Sequence, residues 1–326
     1  MFGFLRGVFL YFLKSLLVIL ILLAVVTNVV QNTFFSPDFY TTQLEKVNGY
    51  DLFRDFLIDK FTDTVISQIS TQDGITEELK EMIKVEMRDE LANVITVNWI
   101  KSKADNLIRD VIFYLRGESE ELSLVVHIED IKPSLGDALE NAFMEIAESQ
   151  GLPVEVEEVR SELERTVNEE ILGEVPDSID INEMSQGEVK KSLMEVKEFV
   201  SVFFLISTYS IIGLIVVSVL IIILDLRFKE ILKNIGWPSV VAGALILLEV
   251  FLAPILMEKM IQMEELSMGD TMEKEVGKEI LVKLVQNMFN TYIDNLKFWG
   301  FLVIGIGVIF VVGSIFVKEK VKEKKK

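Results

Sequence analysis

Four long apolar stretches restrict the fold of this chain more than any other feature. They run over Val8–Val30, Phe199–Leu224, Pro238–Met257 and Phe298–Val317. A helix needs roughly 20 apolar residues to cross the hydrocarbon core of a bilayer, and each stretch reaches that length. Buried helices of a large soluble core are the alternative, but such helices keep a polar face. The sequence therefore predicts four membrane-spanning helices.

The first apolar stretch could instead belong to a cleaved signal peptide, because Arg6 and Lys14 give it a basic front. A retained anchor is favoured, since the run is longer than a signal-peptide core and no clear small-residue cleavage site follows Ala24. Lys14 lies within two turns of the basic end, so we expect its ammonium group to snorkel to the interface.

Lysine and arginine residues near the span ends predict the orientation. Residues 1–15 carry two basic residues and no acid, the connection 225–238 carries three against two acids, and the tail 318–326 has six lysines against two glutamates. Basic segments next to spans favour the cytoplasmic side. The prediction is a multi-pass plasma-membrane protein with both termini in the cytoplasm and with segments 31–198 and 258–297 outside.

The fold class that follows is mainly α: a four-helix transmembrane bundle and a mostly helical extracytoplasmic domain with at most a small β hairpin. The segments in chain order are the cytoplasmic end and first span (1–30), the acidic outer domain (31–198), the second and third spans (199–257, joined by the basic connection 225–238), a helical outer loop (258–297), and the fourth span with its basic tail (298–326).

The outer segment 31–198 holds 16 Lys and Arg residues against 38 Asp and Glu residues, and it is large enough for a core of its own. Apolar residues recur at helical spacing over most of it, which predicts amphipathic helices. The predicted helices cover 52–69, 79–115 (as one helix or two), 134–151, 154–172 and a segment from Gln186 into the second span.

Two short β-branched runs interrupt this helical pattern. Leu122–Ile128 is the best strand candidate, and Ile179–Ile181 could pair with it. In the second outer loop, Gly269 and Gly277 are predicted to break a helical pattern.

Glu249 is the sharpest candidate for a functional site. Counted from Pro238, it lies about 16 Å into a core of ~30 Å, near mid-depth. Acidic side chains at that depth face the bundle interior and are functional by default. Ser210 is expected at the same depth, with Tyr209 and Thr208 slightly further out, so any of the three could hydrogen-bond the carboxyl group. The site is interpreted either as a structural hydrogen bond that fixes helix packing or as a proton- or cation-coupled site.

Three glycines near mid-depth are predicted to allow close helix packing, because small residues let backbones approach. They are Gly213 in the second span and Gly305 and Gly307 in the fourth.

Several classes of chemistry are excluded or disfavoured. With no cysteine and a single histidine, His127, the chain cannot build disulfides, thiolate sites or a two-histidine metal site. His127 itself is interpreted as a core or interface residue. The methionines at 257, 260 and 263 are interpreted as apolar packing and not as a copper site. No nucleotide-binding or hydrolase motif is present, so we expect no enzyme activity, metal or cofactor.

The charge balance also restricts the partners. A net charge of −19 argues against nucleic acid, which requires a basic surface. The expected partners are the lipid bilayer and a protein at the outer domain, and a homo-oligomer is compatible with the sequence.

The order of spans and loops is similar to that of FtsX/MacB-type permeases, and the segment from Arg227 to Gly236 (RFKEILKNIG) is similar to their basic post-span segment. The resemblance implies coupling of the outer domain to a cytoplasmic ATPase. The connection is shorter than in that family, and the outer domain is more helical.

The sequence thus predicts a non-catalytic membrane protein whose outer domain binds a partner or helps to assemble an envelope complex. The alternative is a transporter or permease subunit, either with the FtsX/MacB-like arrangement or coupled to protons or cations through Glu249. A receptor would have to signal through a partner, because the predicted cytoplasmic segments are too short to fold into a signalling domain.

Overall fold

The computed structural model describes residues 2–69, 76–149, 161, 165–173, 175–225, 227–265 and 272–317. The chain divides into two compact units. The apolar unit comprises Met1–Phe39 and Val196–Lys326, and the polar unit comprises Tyr40–Glu195.

Helices account for most of the described residues. In chain order they are α1 (Phe2–Phe34), α2 (Pro37–Lys46), α3 (Gly49–Ile69), α4 (Glu77–Val94), α5 (Val97–Leu115), α6 (Lys132–Ser149), α7 (Ile181–Met184), α8 (Glu188–Leu224), α9 (Phe228–Glu265) and α10 (Met272–Phe316).

Four of the described helices are long and apolar enough to cross a membrane. The segments concerned are Phe4–Phe34 in α1, Glu188–Leu224 in α8, Phe228–Ile255 in α9 and Val282–Phe316 in α10. This agrees with the four predicted spans and with the helix predicted to run from Gln186 into the second one. The chain therefore has the helices of a membrane protein.

The helices α9 and α10 differ from the predicted pattern of breaks. α9 begins at Phe228, ten residues before Pro238, so most of the predicted connection 225–238 is helical. α10 passes through Gly277, where a break was expected, because one glycine costs a long helix only about 1 kcal/mol. Gly269 lies outside the described residues.

A seam of glycines joins α9 and α10 in antiparallel packing. A Cβ atom added to Gly236 would lie 2.9 Å from the carbonyl oxygen of Gly307, and one added to Gly243 would lie 2.8 Å from that of Gly300. In each helix the two glycines are seven residues apart, about two turns, so they share one face. With no side chain at these four positions, the two backbones approach directly there.

α1 packs against both α9 and α10, and its Leu13, Leu17 and Ile21 belong to a buried cluster shared with the other three long helices. α8 joins this bundle along α1: a Cβ added to Gly213 would lie 3.1 Å from Leu20 Cδ2. The buried residues of α8 follow one narrow stripe: Val200, Ser207, Ser210, Val217 and Ile221.

The polar unit has its own core, built by α3, α4, α5 and α6 around Met87, Leu91 and Leu139. The predicted 79–115 helix is divided in two at Ile95 and Thr96, where the Thr96 side chain accepts a hydrogen bond from the backbone N–H of Trp99. Such a cap satisfies one of the free N–H groups at a helix start.

The predicted strand pairing is present and short. Strand β1 (Val125–His127) pairs antiparallel with β2 (Ser178–Asp180), with Val126 opposite Ile179. The predicted helix 154–172 lies largely outside the described residues, and its C-terminal part, Thr166–Ile171, is a π-helix.

Candidate functional site

The structure gives Glu249 a hydrogen-bond partner that the sequence did not predict. The Tyr292 hydroxyl of α10 donates to Glu249 Oε1 at 3.4 Å. The same antiparallel offset that pairs the seam glycines brings these two side chains together. Glu249 lies on an exposed side of α9, and Tyr292 is half-buried.

The expected hydrogen bonds from α8 to Glu249 are not formed. Ser210 Oγ donates to the Ile206 carbonyl at 2.7 Å, and Thr208 Oγ1 donates to the Phe204 carbonyl at 3.0 Å. Tyr209 is 67% exposed. The reason is the position of α8, which packs on α1, so its hydroxyl groups do not reach α9.

The register of the α9–α10 hairpin places Glu249 level with charged residues. It lies opposite Asp294, which pairs with Lys297 at 2.9 Å. Glu249 is also 21 residues beyond Phe228, about 32 Å along a helix. The mid-depth prediction assumed a helix beginning at Pro238. In the structure, Glu249 lies at the level where the long apolar run of α10 begins.

Aromatic rings surround the helices at this same level. Phe34 contacts Tyr292 with ring centroids 5.5 Å apart and Phe39 at 5.6 Å. Nearby, Asn295 Nδ2 donates to Thr33 Oγ1 at 3.1 Å. Tyrosine, as at position 292, is one of the side chains enriched where a membrane meets water. We call this level, defined by Glu249, Tyr292, Asp294 and Lys297, the acidic end of the apolar unit.

The opposite end is held by a buried carboxylate that sequence analysis treated only as the end of a span. Asp225 follows α8, and its side chain is 5% exposed. Arg6 of α1 donates to Asp225 Oδ1 at 2.8 Å, and Asn234 of α9 donates to Oδ2 at 2.8 Å. Arg227 Nε lies 3.8 Å from Oδ1. The charge is paired and hydrogen-bonded, as burial requires, and it links three helices. We call this level the basic end.

The three predicted packing glycines have different surroundings. A Cβ added to Gly307 would lie 2.7 Å from the Gly236 carbonyl oxygen and from Val240 N, and one added to Gly213 would meet Leu20. Gly305 has no atom within 4 Å of an added Cβ. It faces away from the seam because two residues rotate a helix by about 200°.

Several polar contacts join the helices of the polar unit. The Tyr50 hydroxyl donates to Asp105 Oδ1 at 2.6 Å. Burial and then the Asp105 carboxylate raise the pKa of the Tyr50 phenol. On α4, the hydrogen bond to Glu145 raises the pKa of Glu86, because two neighbouring carboxyl groups share a proton more readily than they both ionise. Each of these two contacts joins two helices of the polar unit, and we interpret both as packing interactions.

Within the described ranges, no group of three or more His, Asp or Glu residues could hold a metal ion. His127 is exposed at the end of β1 and does not lie in the core. Searches of protein-family models, curated proteins and solved structures find no match to this chain. The class of protein is therefore defined by the structure alone: four apolar helices with a separate polar, acidic helical unit.

Proposed function

We propose that this chain is an integral protein of the plasma membrane that presents its acidic polar unit outside the cytoplasm for binding another protein, without catalysis of its own. Its part would be in assembling an envelope complex. The observation that carries the proposal is the division of the chain into an apolar unit with four possible spans and a polar unit with an independent core.

The charge distribution supports the orientation. The basic end has Arg6, Arg227, Lys229 and Lys233, whereas the polar unit is strongly acidic. Basic residues next to spans favour the cytoplasm. The polar unit is connected to the other end of α1 and α8, so four spans with a cytoplasmic basic end leave it outside.

The orientation can be tested with single cysteines, because the natural chain has none. A membrane-impermeant maleimide applied to intact cells should label Glu120→Cys in the polar unit. It should label Lys324→Cys in the basic tail only after the cells are permeabilised. The reversed pattern would contradict the proposed topology.

A pair of exposed aromatic residues marks the surface that we propose for protein binding. Phe53 and Phe56 lie one turn apart on α3 and are 49% and 50% exposed. Asp51, Asp55 and Asp59 lie on the same helix. Large aromatic side chains supply much of the binding energy at protein interfaces, and the acidic charge of the polar unit as a whole favours a partner with basic residues.

The binding proposal is tested by photocrosslinking in cells, with the crosslinker placed at Lys60, one turn beyond Phe56 on the same face of α3. The expected result is a discrete crosslinked protein whose yield falls when Phe53 and Phe56 are both changed to Ser. Val85→Ser is the matched control, because Val85 is an exposed apolar residue on α4. Equal yields from the double variant and the control would contradict this surface.

The transport alternative receives no support from the geometry of Glu249. Its single polar partner in the described part of the chain is Tyr292. Within that part, no further hydrogen bond or ion pair continues from Tyr292 towards the basic end. A Glu249→Gln variant that folds and retains the crosslink described above would favour the binding role. A loss of ion-linked activity in cells expressing that variant would favour transport.

A further inference from the structure

The basic end of the apolar unit carries far more positive than negative charge. Together with the tail 318–326, which follows α10 in the sequence, it has eleven basic and four acidic residues. Asp225 is buried and bound to Arg6 and Asn234, and Glu230 lies 3.9 Å from Lys233. Half of the acidic charge is thus already engaged within the protein.

Some of the basic side chains are not engaged by acids. Lys14 and Lys229 form no ion pair with any residue in the described part of the chain. Lys14 lies eight residues beyond Arg6, about 12 Å along α1, at a depth from which a lysine reaches the interface by extending its side chain.

Exposed aromatic side chains accompany these charges. Phe228 is 62% exposed and Trp237 is 57% exposed, and both belong to the first three turns of α9. Trp237 lies eight residues beyond Lys229, about 12 Å along α9. An acyl chain of a lipid whose phosphate meets Lys229 would therefore pass beside the exposed Trp237 ring.

From this juxtaposition we infer that the basic end binds anionic phospholipid headgroups in preference to zwitterionic ones. The ligand is a lipid phosphate with net negative charge, held by Lys14, Lys229 and Lys233, with the Trp237 ring beside its acyl chains. Clusters of four to eight basic residues next to a span attract such lipids. The inference rests on the four spans of the proposed function but not on their orientation or on the protein partner.

The test uses the full-length protein in vesicles and the quenching of tryptophan by brominated lipids. Trp99→Phe with Trp299→Phe leaves Trp237, about 12 Å along α9 from Lys229, as the reporter of the acyl chains next to the basic end. Trp99→Phe with Trp237→Phe leaves Trp299, near the acidic end, as the matched control. Brominated phosphatidylglycerol is compared with brominated phosphatidylcholine of the same acyl chains, each at a low fraction in unlabelled phosphatidylcholine.

The expected result is stronger quenching of Trp237 by the anionic lipid, with a relative association constant of about fivefold, and equal quenching of Trp299 by both lipids. Changing Lys229 and Lys233 to Gln should reduce the Trp237 preference, and 0.5 M NaCl should reduce it in the unmodified chain because salt screens exposed charges. Equal quenching of Trp237 by the two lipids would overturn the inference. A preference at both tryptophans, or one insensitive to salt, would also overturn it. None of these results depends on whether a protein binds the polar unit.

Discussion

Gly307→Ala is expected to weaken the packing of α9 against α10, whereas Gly305→Ala, on the same helix, is not. An added methyl group at Gly307 would lie 2.7 Å from two backbone atoms, the Gly236 carbonyl oxygen and Val240 N. Neither atom can rotate away as a side chain can, so the helices must separate. At Gly305 nothing lies within 4 Å of the added atom.

The magnitude follows from comparing the two variants. Replacing glycine by alanine within a helix gains about 1 kcal/mol of helix propensity, and this gain is common to both sites. Overpacking of a tightly packed contact costs about 1–3 kcal/mol. The free energy of unfolding of Gly307→Ala should therefore fall about 1–3 kcal/mol below that of Gly305→Ala. For a domain of this size, each kcal/mol corresponds to about 3 °C in Tm.

The assay is thermal unfolding in detergent, followed by the fluorescence of Trp237 and Trp299, in a background in which Trp99 of the polar unit is changed to Phe. Both reporters precede or follow a seam glycine directly. We expect the midpoint of Gly307→Ala to lie about 3–9 °C below that of Gly305→Ala. Equal midpoints would show that α9 and α10 do not meet along the glycine seam.

Three further changes address other contacts. Asp225→Asn should destabilise the apolar unit by about 1–3 kcal/mol, measured by the same unfolding assay, because the arginine and asparagine lose a charged acceptor. The hydrogen bond to Glu145 raises the pKa of Glu86, so the folded state binds protons more tightly than the unfolded state. The stability of the polar unit should therefore rise as the pH falls from 7 towards 5. Glu86→Gln should flatten this pH dependence, measured by unfolding followed through Trp99 fluorescence. Thr96→Ala removes the cap of α5 and should cost about 1 kcal/mol in that assay, and no loss would exclude a stabilising cap.

The spans could be predicted from sequence because length and apolar composition alone determine whether a helix can cross a bilayer. The small sheet could be predicted because β-branched runs stood out against helical spacing, and β1 and β2 lie within the two predicted runs. The ends of the helices were harder to predict from the sequence. The residues after Phe228 are rich in lysine and read as a loop, yet Asn234 bonds Asp225 from within the helix.

The hydrogen-bond partner of Glu249 could not be predicted from any single stretch of the sequence. Tyr292 is 43 residues away in the chain, and it meets Glu249 only when α9 and α10 are aligned in one particular register. A signal for that register was present. Gly236 and Gly243 are spaced by seven residues, as are Gly300 and Gly307, and matching the two pairs in antiparallel order aligns Glu249 with the residues around Tyr292.

That alignment also bears on how the chain could tolerate an acid next to a span. An ionised carboxylate at the centre of a bilayer costs about 3 kcal/mol even on insertion scales, and one tyrosine at 3.4 Å on an exposed helix side would offset little of it. Opposite Asp294, and one turn from Lys297, the same carboxylate lies on an exposed helix side among other charged groups. The register thus sets Glu249 beside charged residues of α10, and the stretch of α9 from Phe228 to Glu249 is about 32 Å long, close to the thickness of a bilayer core.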